Sequence, residues 1–265
     1  MILTDSFVVL NFPRTGSTFV RSALRQLHGP WWNALGFDSA PRASSGFREL
    51  RLPIDRTWKA ERLGRTSQHG RWGQIPESHR HLPVVSVLRH PLDHAVSHFT
   101  HDDWWKSPPV DPALLRRRFA SWPSLSFAEY LEYEHEFARP DVLKGARPAA
   151  EVGHLTAHFV RFFARDPDSA LDRLTDARID SGDFAREFPP IRWLRHHRLI
   201  DDLIDFLRDL GHPPRRLARI RRHPRLNVSH ARAGRPWRDF YTPELEALKR
   251  HHERALFRLF PQFEE

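Results

Sequence analysis

The fold is decided by residues 7–20, which have the sequence FVVLNFPRTGSTFV. The run Phe7–Phe12 is almost continuously apolar, a pattern typical of a strand buried on both faces of a parallel sheet. The polar turn Pro13–Thr18 follows at once, and apolar residues then recur at helical spacing until Gly29 and Pro30 end the pattern. The segment therefore predicts a strand, a loop and a helix in direct succession.

A second segment, residues 84–99, repeats this order. Val84–Leu88 has the pattern of a buried strand, Arg89 and His90 form a turn, and Pro91 suits the first position of a helix. In an open parallel sheet, ligands bind at the carboxyl ends of the strands. Both polar turns are therefore expected to face one crevice.

Helical patterns dominate the middle and the end of the chain. Ser126 and Glu129 form a capping box before an apolar stretch. Further predicted elements are helices over 154–164 and 200–210, a strand over 191–194 and a last helix that begins at Pro243 and ends before Pro261. The last helix is expected to bury Leu245, Leu248, Leu256 and Leu259.

Length and composition favour a single α/β domain that spans residues 1–265, with a parallel sheet flanked by helices. The chain has 40% hydrophobic residues, enough for a substantial core, and no low-complexity break that would separate two domains. It contains no cysteine, which excludes disulfides and thiolate metal sites. Phe7–Leu10 is too short for a secretory signal and no stretch is long enough to span a bilayer, so we expect a cytoplasmic enzyme.

The charge balance indicates anionic ligands. Lysine and arginine total 42 against 33 for aspartate and glutamate, which gives a net charge of +9. Such a positive field favours nucleotides, sulfated glycans, nucleic acid or acidic lipid. Charge alone does not choose among these ligands, so the choice depends on the motifs.

The loop Pro13–Thr18 has the chemistry of an anion site. It lies between a predicted buried strand and a helix N-terminus, where backbone N–H groups and the helix dipole favour negative charge. The hydroxyls of Ser17 and Thr18 add donors, and Arg14 adds a cation. The loop is not a Walker A motif, because Gly16 is followed by Ser17 where that motif has lysine. This counts against a nucleoside triphosphatase.

Residues 12–19, FPRTGSTF, resemble the loop by which sulfotransferases hold the 5′-phosphosulfate of 3′-phosphoadenosine 5′-phosphosulfate (PAPS). Several branches of that family have lysine at the position of Arg14, whereas protein-tyrosine and carbohydrate sulfotransferases commonly have arginine. The resemblance implies a P-loop-like α/β fold, PAPS as the donor and 3′-phosphoadenosine 5′-phosphate (PAP) as the product. It assigns to the donor site Arg14, Thr15, Gly16, Ser17, Thr18 and Phe19, the last as a stacking partner for adenine.

Residues 87–97, VLRHPLDHAVS, are similar to the strand, turn and helix that bind the 3′-phosphate of PAPS in the same family. Arg89 and Ser97 stand at the arginine and serine positions of that motif. Arginine suits this role because its planar guanidinium can contact a phosphate through two N–H groups.

Residues 227–243, NVSHARAGRPWRDFYTP, resemble the basic C-terminal loop that closes over the nucleotide. The resemblance carries over Arg232, Gly234 and Arg238, although only one of the two glycines of the cytosolic pattern is present. Residues 193–199, WLRHHRL, stand where many relatives have an acidic residue at the end of a strand, and that acid is missing here.

Two catalytic roles follow from the chemistry of sulfuryl transfer. The reaction is an in-line displacement in which charge builds on the bridging oxygen of the leaving phosphate, and Arg14 is the candidate to stabilise it. The acceptor hydroxyl also needs a general base. His69 precedes the second strand at about the place where many sulfotransferases have a catalytic histidine, so it is the first candidate, with Glu49 and Asp55 in reserve.

The expected function is the transfer of a sulfuryl group from PAPS to a hydroxyl or amine of an acceptor, which is a glycan, a lipid or a small molecule. One alternative is a P-loop nucleotide kinase-like enzyme, which would need a Walker-type lysine and Mg²⁺ ligands. The other is a basic nucleic-acid-binding protein, supported only by arginine runs such as Arg219–Arg222. No nucleic-acid partner is expected. No metal site is expected either. His94, His98 and His101 share a helix face beside Asp102, but such coincidences are expected in a chain with 18 histidines.

Overall fold

A computed structural model describes residues 1–29, 46–53, 66–101, 104–223 and 234–264. The chain divides into two compact units, Met1–Arg89 with Pro190–Val228 and His90–Pro189 with Ser229–Glu265. Each unit therefore combines segments that are distant in sequence. The expectation of one domain over residues 1–265 stays a prediction.

The first unit contains the sheet strands of the described chain. They are β1 Ile2–Leu3, β2 Val8–Leu10, β3 Arg48–Glu49, β4 Leu52–Pro53, β5 Thr66–Ser67, β6 Val84–Leu88 and β7 Arg192–Arg195. Five of them form one sheet in the order β3-β1-β2-β6-β7, and β4 pairs with β5 separately. Strands β2, β6 and β7 are parallel, as predicted, with Leu10 opposite Ser86 and Ser86 opposite Trp193.

The sheet is mixed, which corrects the prediction of a parallel sheet. Strand β1 runs antiparallel to both β2 and β3. The connection from β1 to β2 is a tight turn in which the Thr4 hydroxyl oxygen accepts from the backbone N–H of Phe7 at 2.9 Å. A turn this short joins only antiparallel neighbours, because a parallel pair needs a long crossover. The α/β class itself is confirmed.

The helices of the described chain are α1 Ser17–His28, α2 Pro91–Thr100, α3 Pro112–Arg118, α4 Phe127–Tyr133, α5 Arg139–Leu143, α6 His154–Phe163, α7 Pro167–Asp172, α8 Asp176–Ser181, α9 Leu199–Asp209, α10 Pro214–Arg221, α11 Pro243–His252 and α12 Arg254–Leu259. Helices α1, α9 and α10 belong to the first unit and share one buried apolar core with the sheet. The others form the second unit with a π-helical segment, Glu134–Ala138, between α4 and α5. None of the described helices is long and apolar enough to cross a bilayer.

Several boundaries agree with the sequence signals. Helix α1 ends at Gly29, α2 begins at Pro91, and the capping box of Ser126 and Glu129 opens α4. These signals are local, since proline and cap residues act on the turn in which they lie. The helical middle and the strand after Ile191 are likewise confirmed.

The last predicted helix is wrong in two respects. It is broken into α11 and α12 at Glu253, and Leu248 is 49% exposed instead of buried. The buried residue of α11 is Lys249, whose side chain is 4% exposed. The spacing of apolar residues therefore did not identify the residue that α11 buries.

A charged network explains why Lys249 is buried in the second unit. Its ammonium contacts a carboxylate oxygen of Glu134 and lies 3.0 Å from Oε1 of Glu253. Burial opposes the charged form of Lys249, but the two carboxylates together raise its pKa above the ordinary value. The network therefore holds one cation between two anions, away from solvent.

Glu253, which lies at the break between α11 and α12, also caps another helix. Its carboxylate accepts from the backbone N–H groups of Leu155 at 3.2 Å and Thr156 at 2.7 Å, in the first turn of α6. The first N–H groups of a helix have no partner within the helix, and a carboxylate there is doubly favourable. Gly153 is required beside it, because a β-carbon at that position would lie 2.2 Å from Glu253 Oε1.

Lys249→Met should lower the free energy of unfolding by about 3–5 kcal/mol, because it leaves two buried carboxylates without a counter-charge. The matched control is Arg250→Met on the same helix, where the ion pairs with Glu246 and Glu264 reach the surface and removal should cost about 1 kcal/mol or less. Urea unfolding measures both changes. Equal losses in the two variants would contradict the buried network.

Candidate functional site

The loop between β2 and α1 has an unusual backbone. Arg14 and Gly16 both adopt left-handed conformations, with φ of 61° and 93°. The Thr15 hydroxyl donates to the carbonyl oxygen of Phe12 at 2.9 Å, which closes the turn from inside. Backbone that alternates in this way forms concavities lined by N–H groups, which bind anions.

Gly16 joins this loop to the start of α1. Its carbonyl oxygen accepts from the N–H groups of Phe19 at 3.0 Å and Val20 at 3.2 Å, so the helix begins directly after it. The cap position has no side chain, and the first turn of α1 carries no acidic residue. The positive end of the helix dipole is therefore not offset by a carboxylate on the helix itself.

The segment after β7 packs closely against Gly16. A β-carbon at this position would lie 2.8 Å from Cδ2 of Leu199 and 3.4 Å from Cδ2 of His196. Leu199 is buried, so it has little room to move away. Gly16 is thus required both by its backbone conformation and by this contact.

Arg89 reaches the same loop from the neighbouring strand. It follows the last residue of β6, and its Nη1 donates to the carbonyl oxygen of Arg14 at 2.9 Å. The pairing of parallel strands β2 and β6 makes this contact possible although the two residues are 75 positions apart. The two sequence motifs therefore meet at one edge of the sheet, as expected.

His69 lies at this edge as well. Its Nδ1 is 2.6 Å from the backbone carbonyl oxygen of Asn11, the residue that follows β2. A carbonyl oxygen only accepts, so Nδ1 must carry the proton, and the lone pair of the neutral ring is on Nε2. This is the protonation pattern that a general base requires.

His196 was not predicted from the sequence as a site residue. It follows β7, within residues 193–199, and it lies beside Gly16. The available signal was its position, since it occupies the carboxyl end of the third parallel strand as Arg89 occupies that of the second. The preceding residue, Arg195, is held by Asp202 through bonds of 2.9 and 2.8 Å.

Three other residues assigned to the loop are buried. Thr15 is 1% exposed, Ser17 is 6% exposed and Phe19 is 6% exposed. The ring of Phe19 belongs to the core of the first unit and meets the ring of His223 edge to face at 5.4 Å. Its predicted stacking on adenine would require the ring to leave that core, so this role stays a prediction. Thr18 is half-buried.

The remaining assigned residues are placed as follows. Ser97 lies on α2 in the second unit. Gly234 and Arg238 precede α11 in the sequence and belong to the same unit, and the Arg238 guanidinium lies 4.4 Å from the ring centre of Trp237. Arg232 and the reserve base Asp55 lie outside the described residues. The other reserve base, Glu49, is paired with Arg25 through a bond of 2.8 Å. The nucleotide roles of the second-unit residues stay predictions.

Arg14→Gly should be more stable than Arg14→Ala by about 1 kcal/mol, because glycine adopts a φ of +61° without the clash that a β-carbon causes. Both variants lack the guanidinium, so the difference between their free energies of unfolding isolates the backbone strain. Urea unfolding at neutral pH provides the measurement. Equal stability would show that position 14 is not strained.

The carboxyl ends of β2 and β6 thus bring together the Arg14 backbone, the Arg89 side chain and the His69 ring. The catalytic roles of Arg14 and His69 stay predictions from the sequence. Comparison with protein-family models, with curated proteins and with solved structures found no match for this chain.

Proposed function

We propose that the chain is a PAPS-dependent sulfotransferase whose first unit holds the phosphosulfate of the donor. The observation that carries this proposal is the 2.9 Å hydrogen bond from Arg89 to the backbone carbonyl of Arg14. It joins the two segments that resemble the donor-binding motifs of that family. The arrangement brings the Arg89 guanidinium and the loop that carries Arg14 to a helix N-terminus, a combination suited to a ligand that carries several negative charges.

The strained backbone supports a ligand-binding role for the loop. A residue other than glycine at positive φ costs free energy, and such residues cluster at sites where the conformation serves binding. Arg14 is in this state, and its side chain begins beside the first turn of α1. The loop thereby carries a cationic residue just before the positive end of a helix, where an oxyanion is favoured.

In the proposed reaction, the acceptor oxygen attacks the sulfur of PAPS and the bond from sulfur to the bridging phosphate oxygen breaks. Arg14 and the loop N–H groups stabilise the negative charge that develops on that oxygen, and PAP leaves. His69 takes the proton of the acceptor hydroxyl on Nε2. Its bond to the Asn11 carbonyl orients the ring and stabilises the imidazolium that forms.

The donor site is tested by thermal unfolding with PAP, ADP and ATP, with and without Mg²⁺. PAP at about 100 times its Kd should raise Tm by roughly 5–10 °C without metal. Arg89→Gln should lose this shift, because glutamine is uncharged and lacks the planar set of N–H groups that contacts a phosphate. Arg208→Gln is the control, since Arg208 lies on α9 in the same unit and pairs at the surface with Asp205.

The three nucleotides separate the hypotheses. A shift with PAP that Arg89→Gln abolishes and Arg208→Gln keeps would support the donor site. A preference for ATP with Mg²⁺, or equal shifts with PAP and ADP, would contradict the sulfotransferase proposal.

The base is tested with His69→Asn. The amide of the new asparagine can replace Nδ1 as the donor to the Asn11 carbonyl, but it cannot take the proton of the substrate hydroxyl. Transfer of labelled sulfate from PAPS to a panel of glycans, lipids and phenols should slow by about 10²–10⁴-fold, while the PAP shift is kept. His79→Asn, a change outside the site, should leave both unchanged. Full activity of His69→Asn would assign the base to another residue.

A further inference from the structure

A cluster of histidines and a glutamate lies in the second unit. His135 belongs to the π-helical segment, Glu151 to the loop before α6, and His252 is the last residue of α11. One potential ligand atom from each lies within 4.8 Å of the other two. These residues lie on three separate segments of the sequence, so no local motif predicts that they meet.

The distances suit a small metal ion. Glu151 Oε1 lies 3.3 Å from Nε2 of His252 and 3.7 Å from Nε2 of His135. In a tetrahedral zinc site with bonds of about 2.0–2.2 Å, ligand atoms are separated by roughly 3.4 Å. His251 offers a further nitrogen, 3.6 Å from the second carboxylate oxygen of Glu151.

The His135 and His252 rings need only a rotation about χ2 to bind a metal ion. His135 and His252 are stacked, with ring centres 4.4 Å apart and planes at 15°. Lone pairs of parallel rings run side by side, so each ring must turn about χ2 to aim at one ion. This torsion has a broad energy minimum in histidine. In the described structure no hydrogen bond at Nδ1 of His135 holds that ring in place.

The charges of the cluster also suit a cation. Burial lowers the pKa of His135 and of His252, which favours the neutral rings that metal binding requires. The pKa of Glu151 is lowered as well, which favours the carboxylate form. The nearby ammonium of Lys249 is already neutralised by its two carboxylate partners.

We propose that His135, Glu151 and His252 bind one divalent transition-metal ion, with zinc as the ion that best matches two imidazoles and a carboxylate. Glu151 is 49% exposed, which gives the ion a path from solvent. The three ligands come from three separate segments of the second unit. Zinc therefore fastens the end of α11 to the π-helical segment, and it stabilises this unit independently of the proposed donor site.

The test uses the full chain with any affinity tag removed and metal stripped by a chelator. Zinc is then titrated in competition with a chromophoric chelator. The wild-type chain should bind one zinc tightly, and Glu151→Gln should bind it about 100-fold more weakly. The side chain of Glu151 is half exposed, so this variant should fold. His252→Asn is a second ligand variant with the same expected loss.

The control is His79→Ala with His81→Ala, which removes two histidines of the first unit and should keep the zinc affinity. Zinc should also raise Tm in the wild-type chain and in this control, but not in Glu151→Gln. Metal-free Tm and the PAP shift of Glu151→Gln should match the wild type, which separates this site from the donor site. Equal zinc affinities of the wild-type chain and Glu151→Gln would overturn the proposal. A loss of zinc affinity in the control variant would also overturn it.

Discussion

The parallel ladder between β2 and β6 is the constraint on which the proposed donor site depends. It pairs Leu10 with Ser86, and the buried Ser86 hydroxyl donates to the Leu10 carbonyl at 2.7 Å, which adds a side-chain bond to the ladder. Both strands therefore end at the same edge. The loop that contains Arg14 and the side chain of Arg89 start from that edge, so their separation is set by strand pairing and not by local sequence.

The loop itself is shaped by contacts from its surroundings. Gly16 has no room for a β-carbon because the residues after β7 press against it, and Arg14 is held in a left-handed conformation that its residue type disfavours. Such a conformation persists only where neighbouring structure enforces it. The Arg89 bond to the Arg14 carbonyl and the Thr15 bond to the Phe12 carbonyl are two of those enforcing contacts.

In the second unit, one buried carboxylate organises several elements. Glu253 neutralises Lys249, caps the first turn of α6 and stands at the break between α11 and α12. The break makes His252 the last residue of α11, beside the carboxylate of Glu151. The buried network and the proposed zinc site are thus two consequences of one arrangement, in which polar groups replace the apolar stripe expected for this helix.

The sequence by itself determined the elements whose signals lie within a few residues, such as the strand, loop and helix around Gly16 and the helix that Pro91 begins. It also predicted that the turns of Arg14 and Arg89 face the same edge of the sheet, because strand ends converge in parallel sheets. Only the tertiary structure decided the antiparallel pairing of β1 with β3, the burial of Lys249 and the placement of His196. Each of these depends on contacts between distant segments, and the free energy of such contacts overrides local propensity.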